Sequence, residues 1–272
     1  MVDRGISQMA RRLRQSVGRF VTRDALYKRH LLTFFDVFKR NGWPAVIFGG
    51  TLRDLLLHGS AEQPRDVDVV VDVPSIDTLM EVFSASVKRR TRYGGLHLYV
   101  GAWPVDLWPL TSTWAFQDGR VRNLGFCSLP STTFLNVEAV AVDLWPQPLH
   151  GRRIYERGFF DAVSNRTLDV NWADNPFPEL CVVRSLVTAA KLDFSISPRL
   201  RQYIVDHGRR MSAHDLEVVQ TKHYGKPRCP GVEVKAWIGV LERGDAAGGV
   251  SFRIPVDKAV QLSLWEDWVP SC

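Results

Sequence analysis

The chain is poor in cysteine. Only Cys127, Cys181, Cys229 and Cys272 occur among its 272 residues, and no two form a C-x-x-C pair. Zinc knuckles and disulfide frameworks need closely spaced cysteines, so neither is expected, and reduced thiols fit instead. No apolar run approaches the roughly 18 residues that cross a bilayer. The N-terminal region is basic, with "RRLRQ", but lacks the apolar core of a secretory signal. The expectation is a soluble, cytoplasmic protein with no membrane partner. Internal repeats and low-complexity segments are missing too, which sets aside solenoid architectures.

What is there is a globular composition. Hydrophobic residues make up 45% and charged residues 24%, ample for a substantial core. The length allows one large domain or two modest ones. The formal net charge is +6 and the pI about 9.3. That balance suits an anionic partner such as a nucleic acid or a nucleotide, although many basic proteins bind neither.

Residues 6–41 read as helical. "ISQMARRLRQSVGRFV" spaces its apolar residues helically among four arginines, and "DALYKRHLLTFFDVFKRNG" does so more strongly. Asp24 is placed to cap the second helix and Gly42 to end it. The arginines form either a solvated face or a phosphate-facing one. From Trp43 the texture changes. "PAVIFGG" is a short strand, "TLRDLLLHG" a short helix, "SAEQPR" a polar loop and "DVDVVVDV" a strand. "SIDTLMEVFSAS" is an amphipathic helix opened by Pro74-Ser75. "LHLYVG" and "PVDLWPL" are strands joined at "GAW". This order implies an α+β fold, a mixed sheet with helices on one face. Further on, "STTFLNVEAVAVDLW" (131–145) reads as helix or strand. "ELCVVRSLVTAAKLDF" and "PRLRQYIVDHG" read as helices, and "VEVKAWIGVL" and "VSFRI" as strand-like, before a Trp-rich tail. Three parts are expected: a helical segment (1–42), a head domain (43–147) and a mainly helical C-terminal region (148–272).

Gly49 and Gly50 lie between a strand and a helix. Bare backbone N–H groups at a helix N-terminus attract anions, and glycine lets a phosphate come close. Arg53, on the first turn, can add a charged donor or can pair with Asp54 to brace the turn. Asp66 and Asp68 are one residue apart in a strand, so their side chains share a face, while Val67, Val69 and Val71 point the other way. Adjacent carboxylates repel unless a cation holds them, and a hard ion such as Mg²⁺ takes carboxylate oxygens beside phosphate or water. A solvent-facing strand end is the structural reading. Asp72 shares the face of Asp68 but lies further from the glycines. Asp106, in "WPVDLWPL", is the candidate third carboxylate on a neighbouring strand. Three acids around two metal ions would clamp a phosphoryl centre and activate an attacking hydroxyl.

"FGGTLRDLLLHG" followed by "RDVDVVVD" resembles the head domain of the poly(A) polymerase and tRNA CCA-adding family, within the DNA polymerase β-like nucleotidyltransferases. Gly-Gly, Arg-Asp, Leu-Leu and Asp-x-Asp follow in the family's order. "TFLNVEAVAVDLW" resembles a second family segment without its Arg-Arg-Asp, and Glu138 stands near its Asn. "PFPELCVVRSLVTAAKLDFSIS" resembles a third, in which Arg184 and "AAKLDF" fit and Cys181 occupies an Arg position. The resemblance covers about 46–108 closely and 130–197 in part. It implies a polymerase β-like head that transfers a nucleoside monophosphate from an NTP such as ATP with two Mg²⁺ ions. Gly49, Gly50, Arg53 and Arg184 would bind the nucleotide. Asp66, Asp68 and Asp106 would be catalytic metal ligands. The implied acceptor is an RNA 3′ end, tRNA-like in kind. The alternatives are a protein or small-molecule hydroxyl, or a non-catalytic module that binds RNA or nucleotide. The departures fall on the segments that hold the ribose and read the base in the family.

Other constellations have plainer readings. His214-Asp215 has the residue pair of metal phosphohydrolases but not their remaining ligands. "KHYGKPR" (222–228) interleaves basic residues with Tyr224, as a nucleic-acid contact or a solvated loop would. Trp108 beside Asp106 is either a buried anchor or a base-stacking surface.

Overall fold

The computed structural model describes residues 2–22, 29–59, 66–91, 94–244 and 251–254. Asp24 as a cap, the loop 60–65, Cys272 and the Trp-rich tail lie outside the described residues. The chain divides into two compact units. One comprises Met1–Thr133 and Val137–Phe160, the other Phe134–Asn136 and Asp161–Cys272.

The first unit opens with helices α1 (Val2–Thr22) and α2 (Arg29–Arg40). Leu13, Val17, Phe20 and Val21 are buried at helical spacing along α1, and Arg11, Arg12, Arg14 and Arg19 are exposed. The arginine face is exposed, and Arg14 donates to the Arg152 carbonyl at 2.9 Å. On α2 the buried stripe is Leu31, Phe34, Phe35 and Phe38. The chain leaves the helix at Gly42, whose φ of +64° suits glycine.

A seven-stranded mixed sheet follows. Its strands are β1 (Ala45–Phe48), β2 (Val67–Val71), β3 (Val87–Arg90), β4 (Leu96–Val100), β5 (Trp103–Pro109), β6 (Val140–Asp143) and β7 (Ile154–Glu156). The spatial order is β3-β4-β5-β2-β1-β6-β7. Only β2 and β5 run parallel among these neighbours. Helix α3 (Gly50–Leu57) joins β1 to β2, and α4 (Ile76–Phe83) follows β2. The Phe34 and Phe83 rings, 5.0 Å apart, tie α2 to α4. A short α5 (Trp114–Gln117) and a 3-10 stretch (Phe126–Thr132) precede β6. The ambiguous segment 131–145 thus ends as a strand.

In the second unit, entered through α6 (Phe159–Asn165), strands β8 (Thr167–Leu168) and β9 (Ser195–Ile196) pair in parallel. Its helices are α7 (Pro178–Leu192), α8 (Pro198–Gly208), α9 (Ala213–Tyr224) and α10 (Gly231–Arg243). No described helix is long and apolar enough to cross a membrane.

The polar "VKRR", which carries no strand pattern, forms the edge strand β3. One reading changes. "VEVKAWIGVL" is not strand-like but the body of α10, burying Gly231, Val234, Trp237, Ile238 and Leu241. Those positions recur every three or four residues, and the β-branched Val234 and Ile238 among them mimic a strand. Of "VSFRI", Phe252 makes a single bridge to Ile196.

Candidate active site

The two glycines have different reasons to be glycine. Gly49 has φ +69° and ψ −136°, a conformation other residues avoid. Its N–H donates to the Val140 carbonyl at 2.9 Å, which fixes the turn against β6. A Cβ there would stand 3.7 Å from Oδ2 of Asp68. A Cβ on Gly50 would stand 3.4 Å from the Arg53 guanidinium, which folds back over it. No side chain caps α3. The helix therefore opens with backbone N–H groups beneath an acidic side chain.

The acids lie on the adjoining strands. Asp68 and Asp106 are direct partners across the parallel pair β2–β5. Both are half-buried, while Val67, Val69 and Val71 on the opposite face of β2 are fully buried. Further along, the face of Asp68 closes over: Val70 joins Val46, Phe48, Leu110, Leu129 and Ala141 in a buried cluster. Asp66 stands one residue before β2, and Asp72 lies exposed just beyond its other end.

Thr51 connects the turn to the acids. Its hydroxyl donates to the Asp66 carbonyl at 3.0 Å and lies 3.5 Å from the Asp68 amide. It is 2% exposed. The sequence reading missed this residue, although a hydroxyl just after the glycine pair was the available signal. It also missed His97. Nδ1 of His97, on β4, lies 2.6 Å from Oδ1 of Asp106, its cross-strand partner on β5. With the carboxylate ionised, Nδ1 carries the proton of that bond.

Arg53 makes the bracing contact. Its Nε donates to Oδ1 of Asp54 at 2.7 Å, and Nη1 lies 3.7 Å from Oε1 of Glu138. The Arg53 side chain is 7% exposed. Glu138 thus supplies a carboxylate to Arg53 from the segment that departs from the family pattern. Arg184 lies half-buried on α7, in the second unit.

The remaining candidates have structural roles. Trp108 packs its ring edge-on to Phe48 and donates to Thr113 Oγ1 at 3.3 Å. Asp215 belongs to a capping box with Ser212 at the start of α9. Hydrogen bonds from the Ser212 amide and hydroxyl hold its carboxyl below the usual range. "KHYGKPR" forms the end of α9 and its exit at Gly225, with Arg228 5.3 Å from the Tyr224 ring.

Among the described residues, no group of three or more His, Cys, Asp or Glu side chains is gathered into a metal cage. Asp68 and Asp106 present all-oxygen donors side by side. Such a pair fits Mg²⁺, which typically takes one or two carboxylates and completes its shell with water and substrate phosphates.

No protein-family model matches the sequence, and no curated protein matches it. Solved structures do match. The chain shares the fold of CCA-adding enzymes. A Thermotoga maritima CCA-adding enzyme complexed with tRNA aligns with TM-score 0.56 and 16% identity, over 82% of this chain and 54% of that one. A CCA-adding enzyme complexed with CTP gives 0.57 and 14%, over 83% and 53%. A tRNA nucleotidyltransferase with a primer tRNA and an incoming ATP analogue gives 0.54 and 18%, over 77% and 59%. The chain therefore spans little more than half the length of these CCA-adding enzymes.

Proposed function

We propose that the protein is a Mg²⁺-dependent nucleotidyltransferase that adds a nucleoside monophosphate to the 3′ hydroxyl of an RNA, tRNA-like in kind. The observation that carries this reading is the pairing of Asp68 with Asp106, with Asp68 standing over the Gly49 turn. Solved structures of the same fold hold ATP, CTP or tRNA.

The turn at Gly49–Gly50 and the opening amides of α3 receive the triphosphate. Thr51 keeps that turn in register with Asp66 and Asp68. Those two acids and Asp106 would hold Mg²⁺, with Asp106 nearest the acceptor hydroxyl; the ion would supply charge that neutralises the phosphates and favours ionisation of that hydroxyl. The acceptor oxygen attacks the α-phosphorus, the α–β bridging P–O bond breaks, pyrophosphate leaves and the hydroxyl proton passes to solvent. Arg53 braces the turn through Asp54 and Glu138.

The test is incubation with Mg²⁺, each α-³²P-labelled NTP in turn, and total RNA. Label should enter RNA and name the base. Label entering protein instead would assign the acceptor to a hydroxyl side chain. A folded protein that neither transfers label nor binds NTP with Mg²⁺ would be a binding module, and the proposal would fail.

A further inference from the structure

Beyond Asp106, the same face of the sheet continues to an exposed patch of aromatic and basic side chains. His97 is the cross-strand partner of Asp106, and Arg89 is the partner of His97. One rung therefore crosses four adjacent strands as Asp68, Asp106, His97 and Arg89, acidic at the centre and basic at the edge. Tyr99 lies two residues beyond His97 and shares its face. Its ring stands perpendicular to the imidazole at 5.6 Å and is left 46% exposed. Nζ of Lys88 lies 5.9 Å from the Tyr99 ring. The pairing shifts between Val87 and Arg89, so Lys88 occupies the irregular position of β3.

Charge on an edge strand commonly blocks pairing with other chains, and that accounts for Lys88, Arg89 and Arg90 taken alone. It does not account for a half-exposed tyrosine beneath a lysine, on the same sheet face as two site carboxylates. An exposed ring beside cations is the arrangement that binds single-stranded nucleic acid, because any base can stack on the ring while cations meet the phosphates. The charge gradient also sets a direction. Phosphates are repelled at Asp68 and Asp106 and attracted at Arg89, about 10 Å away at two strand spacings from Asp106.

We propose that this face of β3 and β4 is the docking surface for the acceptor, a single-stranded RNA. Tyr99 stacks on a base near the 3′ end, and Lys88 and Arg89 meet the flanking phosphates. His97 fills the interval and directs the 3′ hydroxyl to Asp106. This surface rests on the nucleotidyltransferase reading for its purpose but is testable without turnover.

The experiment measures anisotropy of a short 5′-fluorescein single-stranded RNA, without Mg²⁺ or NTP. A second RNA carries 2-aminopurine at its 3′ end to report stacking. Tyr99→Ala should weaken binding by about 5- to 150-fold and remove the 2-aminopurine quench, and Tyr99→Phe should keep both. Lys88→Ala with Arg89→Ala should weaken binding and lower the slope of log affinity against log salt by about 1.4. The proposal is overturned if wild type binds no single strand, if it binds a duplex equally well, or if the variants bind and quench as wild type does. Mg²⁺-dependent NTP binding, measured in parallel, should be unchanged by Tyr99→Ala. Its absence from wild type would sink the nucleotidyltransferase reading separately.

Discussion

His97 and Asp106, direct partners across β4 and β5, are joined by a 2.6 Å contact between Nδ1 and Oδ1. A carboxylate held through one oxygen by an imidazole keeps one orientation. Groups that orient metal ligands typically govern metal affinity by about 10- to 100-fold. His97→Ala should therefore raise the Mg²⁺ concentration needed for half-maximal transfer by about that factor. His97→Asn, which retains an N–H donor near the position of Nδ1, should restore much of it. Rates measured across a Mg²⁺ series distinguish this role from a packing defect, which would lower the rate at every concentration and resist rescue.

Gly49 and Gly50 should respond differently to alanine. Gly49→Ala forces a side chain into φ +69° and ψ −136°, at a cost of about 1–3 kcal/mol. The new methyl also sits beside Oδ2 of Asp68, so Mg²⁺-dependent NTP binding should fall with the melting temperature. At Gly50 the methyl meets only the movable Arg53 guanidinium. Gly50→Ala should therefore melt closer to wild type. Thermal melts and NTP titrations of the two variants check the contrast.

What the sequence made legible was local. Gly49–Gly50, Asp66 and Asp68 lie within one strand–helix–strand unit, where side-chain alternation and turn chemistry suffice. The partnership of Asp68 with Asp106 needed the parallel pairing of β2 with β5, which only the expectation of a neighbouring strand anticipated. His97 stayed hidden because its role comes from the β4–β5 register. Glu138 stayed hidden because its contact with Arg53 crosses 85 residues of chain. The edge strand β3 has no apolar alternation to announce it. Helix α10 was misread because valine and isoleucine favour strands unless packing across three- and four-residue intervals overrides them.

Cys229 should show a shielded thiol. Burial pushes it up from its ordinary 9.0 to about 12, with Glu233 adding to the shift. The unfolded thiol ionises near 9 and the folded one only near 12. Stability is therefore intact below pH 9 and declines as pH rises through that window. Iodoacetamide at pH 8 followed by peptide mapping should label exposed Cys127 and spare Cys229 until denaturant is added.

A Cβ on Gly231 would collide with the Ala213 carbonyl oxygen, so backbone must move. Gly231→Ala should destabilise by about 1–3 kcal/mol or more, the range for overpacked sites. Urea melts followed by far-UV circular dichroism would read this as a lower midpoint with helix content retained. An unchanged midpoint would mean that the start of α10 shifts freely.

The most direct measurement of the central claim is label transfer to RNA with a defined 3′ end. Wild type and the double variant Asp66→Ala, Asp68→Ala would be given Mg²⁺, α-³²P-NTPs and tRNA, either intact or with its terminal diol destroyed by periodate. The expected result is label on intact tRNA alone, from wild type alone, with pyrophosphate released in equal amount. Equal labelling by the double variant, or no labelling by a folded wild type that also binds no NTP, would contradict it.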